Sequence, residues 1–447
     1  MLGSAPVSAR AACVLGAGLA IALLQPELVW PLLAASALAG VAFLAVRHPI
    51  PASVAWLAFT GTTPEMWLGD LAGADATIIA LTKLAGIALV AVCMLRFGAR
   101  ADPANPAFAF AAIFAIGLAH GLHPNLSAAE SLRTLAGSAA PYAFAFARLP
   151  RRWAQAIIRT TCVLPLLTVL GCVPLAIADI RPLFRELDGL RLAGLSHPAF
   201  LGGVALAGIY ACLVELFREG RRRDLALLAA NTLILVLSGA RAPLVAAASV
   251  GGCAFLLLRT PSFPWRRRIP VLLCIGTALP LVFILAGRFT AFRLFNLLDN
   301  SIDDLSGRDV IWPYFQDAWD ASPWLGWGIG AGKVLIDIDD PVAQLLGTTA
   351  AHNEYLRLGV EGGWAGIALL AAFMAAWCIR HTARMRRTDQ IILRLVFVAF
   401  AVHSFTDNTL IASTASVLFT WVCAVFARAD ADSQRLAGLI TAPAANG

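Results

Sequence analysis

Charge is scarce in this chain of 447 residues: Asp, Glu, Lys and Arg make up 14% of it, against 59% hydrophobic residues. With a mean hydropathy of +0.77, no soluble domain of this size would tolerate such a composition on its surface. Lysine is nearly missing, with only Lys83 and Lys333, so the net charge of +7 is carried almost entirely by arginine. There is no Walker loop, dinucleotide fingerprint, Cys-x-x-Cys pair or nucleophile elbow. That removes motif support for nucleotide hydrolysis, nicotinamide chemistry, thiol exchange and serine hydrolysis. No repeat recurs at a fixed period, which weakens an inverted-repeat transporter. The nine cysteines, Cys13 to Cys423, all lie in or beside apolar runs and read as small packing residues, not disulfide partners.

Long apolar runs are what the chain has in abundance. Fourteen approach the length needed to cross about 30 Å of hydrocarbon as helix. They lie near 11–24, 28–46, 50–66, 77–95, 106–121, 128–147, 153–178, 198–217, 224–238, 242–258, 270–286, 364–380, 390–408 and 411–427. The expected fold is therefore an all-α polytopic membrane protein with 12–14 transmembrane helices, some of the runs being short or proline-bearing. Arginine clusters at 148–152, 218–223, 259–268 and 380–387 fall on one side if the spans alternate, and that side is the cytoplasm. Both termini are expected there, and the first run, preceded by Arg10, reads as a retained helix. The positive balance then reflects topology and argues against a nucleic-acid surface.

One interval breaks the pattern. Residues 288–363 contain no crossing, carry eleven acidic and five basic groups, and are rich in tryptophan. Such a loop should be folded and external. The expected organisation is a helical membrane region over 1–287, this loop, further membrane helices over 364–428 and a cytoplasmic tail over 429–447. Within the loop, "SGRDVIWPYFQDAWDASP" reads as a helix capped near Ser306, apolar on the face of Ile311, Trp312, Phe315 and Trp319, and broken at Pro323.

Two further external elements bring arginine to the same side: 178–198, with Arg181, Arg185, Arg191 and His197, and the turn "LSGAR" ending in Arg241. Arg241 reads either as a snorkelling side chain or as an anion ligand, and Arg308 either as the ion-pair partner of Asp309 or as a second anion ligand. His352, where the loop returns to the membrane, is placed to accept a hydroxyl proton, with His120, His123 and His403 as rivals. The Asp-x-Asp spacing in "DIDD", 337–340, is a weak signal for a metal.

Taken in order, "LSGAR", "SGRDVIW", "SPWLGWGIG" and "HNEYLRLGVEGGWAG" resemble the O-antigen ligase and O-antigen polymerase superfamily, over about 198–380. The most specific piece is His352-Asn353 followed at fixed spacing by Gly363 and Gly366. The resemblance implies a metal-independent, inverting glycosyltransferase of the membrane-embedded GT-C type, without a cofactor, in the bacterial inner membrane and working at its periplasmic face. The implied donor is an undecaprenyl diphosphate-linked glycan and the implied acceptor lipid A-core. His352 would be the general base, and Arg241, Arg308 and Arg191 the diphosphate ligands, with Arg185, Arg293, Asn353 and Glu354 in support. Polymerisation on the same carrier is the alternative within the class, and a lipid-linked glycan flippase the alternative outside it.

Overall fold

A computed structural model describes residues 40, 42–72, 75–187, 189–286, 308–337, 339–346 and 348–441. The chain divides into two units, Met1–Ser53 and Val54–Gly447. The described part of the first is helical at 42–47 and at the start of the helix α1, Pro49–Gly61. In the second, α2 (Pro64–Ala72), α3 (Asp75–Phe97), α4 (Ala107–His120) and α5 (Ala128–Ala139) lead through a 3₁₀ segment, Ala140–Phe146, into α6 (Arg151–Ile177). A hairpin of β1 (Phe184–Glu186) and β2 (Leu190–Leu192) follows, then α7 (Pro198–Glu219), α8 (Arg222–Ser238), α9 (Arg241–Leu257) and α10 (Trp265–Ala286). The loop region contributes α11 (Arg308–Ala321) and α12 (Pro341–Leu346), and the chain closes with α13 (Glu354–Thr382), α14 (Arg387–His403) and α15 (Ser413–Thr441).

Among the described residues, five helices are long and apolar enough to cross a membrane: Thr77–Phe97, Arg151–Ile177, Pro198–Glu219, Glu354–Thr382 and Ser413–Arg435. The run at 128–147 is not one crossing helix. Its α-helix stops at Ala139, because Pro141 lacks the amide that would continue the ladder, and a 3₁₀ segment takes over. Twelve residues of α5 rise only about 18 Å. The run at 390–408 also ends early, at His403, leaving 404–412 as a connecting loop. The hairpin is a small departure from an all-helical fold. Candidate spans at 11–24 and most of 28–46 lie outside the described residues, as does Ser306.

The centre of the second unit is α7, which packs against α6, α8, α9, α14 and α15. Close approach needs small residues at the crossings. A Cβ on Gly202 would sit 2.4 Å from the Ala240 methyl, and one on Gly208 2.7 Å from the Asn231 amide. Asn231 in turn donates to the Cys162 carbonyl at 2.9 Å, beside Pro165, where the ladder of α6 is interrupted.

The two ends of the bundle differ in chemistry. At one end, Arg218 is paired with Asp389 and Asp432, Arg100 with Asp430, and Arg428 with Glu215. His381 and Trp377 both bond Asp102 there, at 3.1 and 2.7 Å. The other end of α13, α14 and α15 carries His352, the 404–412 loop and α11.

Candidate functional site

The local scaffold is a kinked helix. Inside α13, Gly363 takes φ 58° and ψ −163°, a conformation only glycine tolerates, and it separates a short, almost wholly buried head from the apolar membrane helix. The "SPWLGWGIG" segment lies along the break. Trp327 and Gly328 donate to the carbonyls of Val360 and Glu361 at 2.8 and 3.0 Å, and Trp364 and Ala365 donate back to Pro323 and Trp324 at 2.8 and 3.1 Å. Four backbone bonds thus weld the loop to the kink. The backbones come so close that a Cβ on Gly326 would lie 2.5 Å from the Gly362 nitrogen.

The same loop packs its own core. Ile311, Phe315, Ala331 and Ile336 are buried with Leu356 and Val360 of α13, and Trp312, Trp319 and Trp327 pack against them. Tyr314 and Trp324 remain exposed, at 38% and 71%. The aromatic richness of the loop is therefore mostly a small hydrophobic core, on the helix face expected from the sequence. Asp337 and Asp340 of "DIDD" accept backbone amides from Asp339 and Val342, as turn caps. No set of three His, Cys, Asp or Glu side chains among the described residues is arranged to hold a metal ion.

His352 stands at the head of this assembly in a left-handed backbone conformation, φ 49°, uncommon for a residue with a Cβ. Its neighbours pin it there. The Ala351 carbonyl accepts from the Trp312 indole at 2.9 Å, and Asn353 caps α13 by accepting from the amides of Tyr355 and Leu356 at 2.9 and 3.2 Å. The imidazole is 40% exposed, and its Nδ1 faces the 404–412 loop, 3.8 Å from Asp407 Oδ1 and 3.4 Å from Asn408 Nδ2. The second oxygen of Asp407 lies 3.6 Å from Nε2 of His403, which is buried. Partial desolvation acts to raise the Asp407 pKa, but the two imidazoles of His352 and His403, close to its two oxygens, outweigh it and hold the carboxyl well below the usual carboxylate range. One ionised carboxylate thus sits between two imidazoles.

Three charged side chains from distant parts of the chain hold the loop that carries Asp407. Arg308 donates to the Thr406 carbonyl at 2.9 Å, Glu354 accepts from the Leu410 amide at 2.7 Å, and Lys83 of α3 donates to the Ile411 carbonyl at 2.9 Å. The Glu354 amide also donates to the Ser404 carbonyl at 2.8 Å, and Tyr355 stacks on Phe405 with centroids 3.9 Å apart. Glu354 is itself tied to Arg357, which bridges to Glu361, both ion pairs at 2.5 Å and all three side chains buried.

The arginines of the hairpin gather next to this group. Arg185 and Arg191 are direct cross-strand partners, so their side chains leave the same face, an arrangement that concentrates like charge. Arg191 is buried and its Nε donates to the Ser238 carbonyl at 2.8 Å, three residues before Arg241. Arg241 begins α9 at the end where α14, which packs along α9, finishes with His403. His197 caps α7 through its Nδ1, accepting from the Ala199 amide at 3.3 Å. Burial first, then the charges of Arg191, Arg185 and Arg181, push its pKa down to about 4, while Asp407 acts in the opposite sense. His197 therefore lies within the electrostatic reach of both the arginine hairpin and the histidine–aspartate group.

Of the residues singled out from the sequence, His352, Glu354 and Arg308 meet around the 404–412 loop, and Asn353 caps the helix head between the first two. Arg185 and Arg191 share one hairpin face, and Arg191 braces the turn that ends in Arg241. Arg293 lies outside the described residues. Among the rival histidines, His123 is bound into the loop, its amide donating to the Trp327 carbonyl at 3.0 Å and its ring edge-on to that indole. Burial lowers its pKa. Sequence reasoning missed Asp407, Asn408 and Lys83. The signal for the first was present in "HSFTDN", where His403 and Asp407 stand one helical turn apart at the end of an apolar run.

Residues 225–371 match the family described as O-antigen ligase. The match takes in the "LSGAR" turn, α11 and the head of α13, about a third of the chain, and supports the O-antigen ligase superfamily. Comparison with curated proteins gives no match.

Proposed function

We propose that this protein is an O-antigen ligase, transferring polysaccharide from undecaprenyl diphosphate to lipid A-core at the periplasmic face of the inner membrane, on a GT-C-type scaffold of 12–14 spans. The observation that carries this reading is the pairing of His352 Nδ1 with Asp407 at 3.8 Å beneath a part-exposed imidazole. In the tautomer whose Nδ1–H is directed to Asp407, Nε2 is the nitrogen left to receive a proton. His352 Nε2 takes the proton of the acceptor hydroxyl, and the oxygen attacks the anomeric carbon as its bond to the diphosphate breaks. The electron pair leaves with undecaprenyl diphosphate, and the configuration inverts. Asp407 stabilises the imidazolium that forms.

The leaving diphosphate needs positive charge where its own charge grows. Arg185, Arg191, Arg241 and Arg308 supply it in this reading, arginine being suited to two-point contact with phosphate oxygens. Asn353 and Glu354 act indirectly, by fixing the helix head and the Asp407 loop. The match of residues 225–371 to the O-antigen ligase family supports the reaction class.

The test is the lipopolysaccharide pattern of a deletion strain complemented with wild-type or His352→Ala genes. Ligase loss leaves bare core and long carrier-linked polymer. Core capped with one repeat unit would instead identify a polymerase, and unaltered lipopolysaccharide in the His352→Ala strain would refute the assignment of the base.

A further inference from the structure

The opposite end of the bundle holds a cavity of about 250 Å³ that the transfer reaction does not use. Arginines from four parts of the chain line it: Arg151 at the start of α6, Arg218 near the end of α7, Arg384 and Arg386 in the turn between α13 and α14, and Arg435 on α15. Only two acidic side chains, Asp389 and Asp432, face them, so the lining carries an excess of three positive charges. The acids are already engaged. Asp389 pairs with the half-buried Arg218 at 2.8 Å, and Asp432 pairs with Arg218 and, at 3.4 Å, with Arg151. Arg384, Arg386 and Arg435 make no ion pair among the described residues, and all three are exposed at the mouth.

We propose that this cavity binds the phosphodiester headgroup of an anionic phospholipid from the leaflet that this end of the bundle faces. The volume is below the roughly 300–1,000 Å³ of pockets that enclose drug-sized ligands, which suits a headgroup phosphate better than a nucleotide. Arg218, braced by both carboxylates, forms a fixed floor, and the three mouth arginines present planar forks to phosphate oxygens. Basic pockets between membrane helices at the cytoplasmic boundary hold such headgroups, whereas single arginines there only snorkel. Four chain segments that diverge from this end, α6, α7, the α13–α14 turn and α15, would be tied together by one bound lipid. The inference is independent of the reaction at His352.

The experiment uses the full-length chain, purified in neutral detergent and depleted of lipid, with its thermal midpoint followed as lipid is added. Phosphatidylglycerol should raise the midpoint by several degrees and phosphatidylcholine should not. The shift should fall by more than half in the triple variant Arg384→Gln, Arg386→Gln, Arg435→Gln. It should persist in a control with Arg222→Gln, Arg259→Gln and Arg266→Gln, which removes charge from exposed arginines of the same end outside the cavity. Native mass spectrometry of the wild-type chain should show phosphatidylglycerol retained in preference to phosphatidylcholine, a readout that does not depend on the variants folding. An undiminished shift in the cavity variant, an equal loss in the control, or no lipid preference would overturn the proposal. A full shift with inorganic phosphate alone would overturn the lipid assignment in favour of a free-anion site.

Discussion

Glu354 accepts a hydrogen bond from the Leu410 amide at 2.7 Å and its own amide donates to the Ser404 carbonyl at 2.8 Å, so this one residue ties the helix head that follows His352 to both ends of the loop that carries Asp407. The carboxylate can do so only because Arg357 neutralises it, with Glu361 on the other side of the guanidinium. Removing the arginine alone leaves two carboxylates buried together. Arg357→Met is expected to destabilise the protein by about 3–5 kcal/mol. The triple variant Glu354→Gln, Arg357→Met, Glu361→Gln should recover most of that loss. Chemical unfolding of the three proteins in detergent checks the order, and a triple variant no better than Arg357→Met would show that the charge cluster is not what sets stability there.

His352 and Asp407 are expected to act as a unit. His352→Ala should lower kcat by about 10²–10⁴, the usual contribution of a positioned general base. Asp407→Asn should cost less, and the double variant should be no worse than His352→Ala alone, because the carboxylate works only through the imidazole. Purified protein with carrier-linked glycan and core acceptor gives the rates. Losses that multiply in the double variant would separate the two residues.

What the sequence made legible depended on chain distance. The loop helix, its apolar face and the glycine spacing after His352 are local patterns, and each survives in the structure as α11, its buried Ile311 and Phe315, and the kink at Gly363. Asp407 was hidden for a specific reason. The apolar run before it continues in hydropathy to about residue 408, whereas the helix stops at His403, so hydropathy places the aspartate inside a span when it lies on the connecting loop. Lys83 was equally unreadable, since its partner Ile411 is 328 positions away and only tertiary packing brings them together. The "LSGAR" turn shows the intermediate case: Gly239 in the left-handed region ends α8 as its composition suggests, but the Arg191–Ser238 brace joins elements that no spacing rule connects.

The weld between loop and kink should be intolerant of a single methyl group. A Cβ on Gly363 would lie 2.3 Å from the Trp324 carbonyl carbon, and the backbone there, at φ 58° and ψ −163°, excludes side chains in any case. Gly363→Ala is therefore expected to lose both folded protein and activity. Gly252→Ala on α9, where an added Cβ meets nothing within 4 Å, should be neutral or stabilising by about 0.5–1 kcal/mol. Yield of monodisperse protein and thermal midpoint distinguish the two, and a normally folded Gly363→Ala protein would contradict the close backbone approach.

Acid should weaken the fold through His197. Its folded pKa of about 4 lies below the ordinary value of 6.5, because burial and the positive charges of Arg191, Arg185 and Arg181 disfavour the imidazolium more than Asp407 favours it. Between those two values the unfolded chain binds a proton that the folded chain refuses, so stability falls as pH drops from about 6.5 toward 4 and gains nothing further from this group above that window. The geometry agrees with the sign: Nδ1 caps α7 by accepting the Ala199 amide, a role that protonation of that nitrogen would abolish. His197→Asn keeps a side chain suited to capping while removing the titration. It should flatten the fall in thermal midpoint across that pH range and leave the midpoint near pH 7 little altered. An unchanged slope in the variant would mean that other groups govern the acid sensitivity, and that the arginine hairpin does not act on His197 as its position requires.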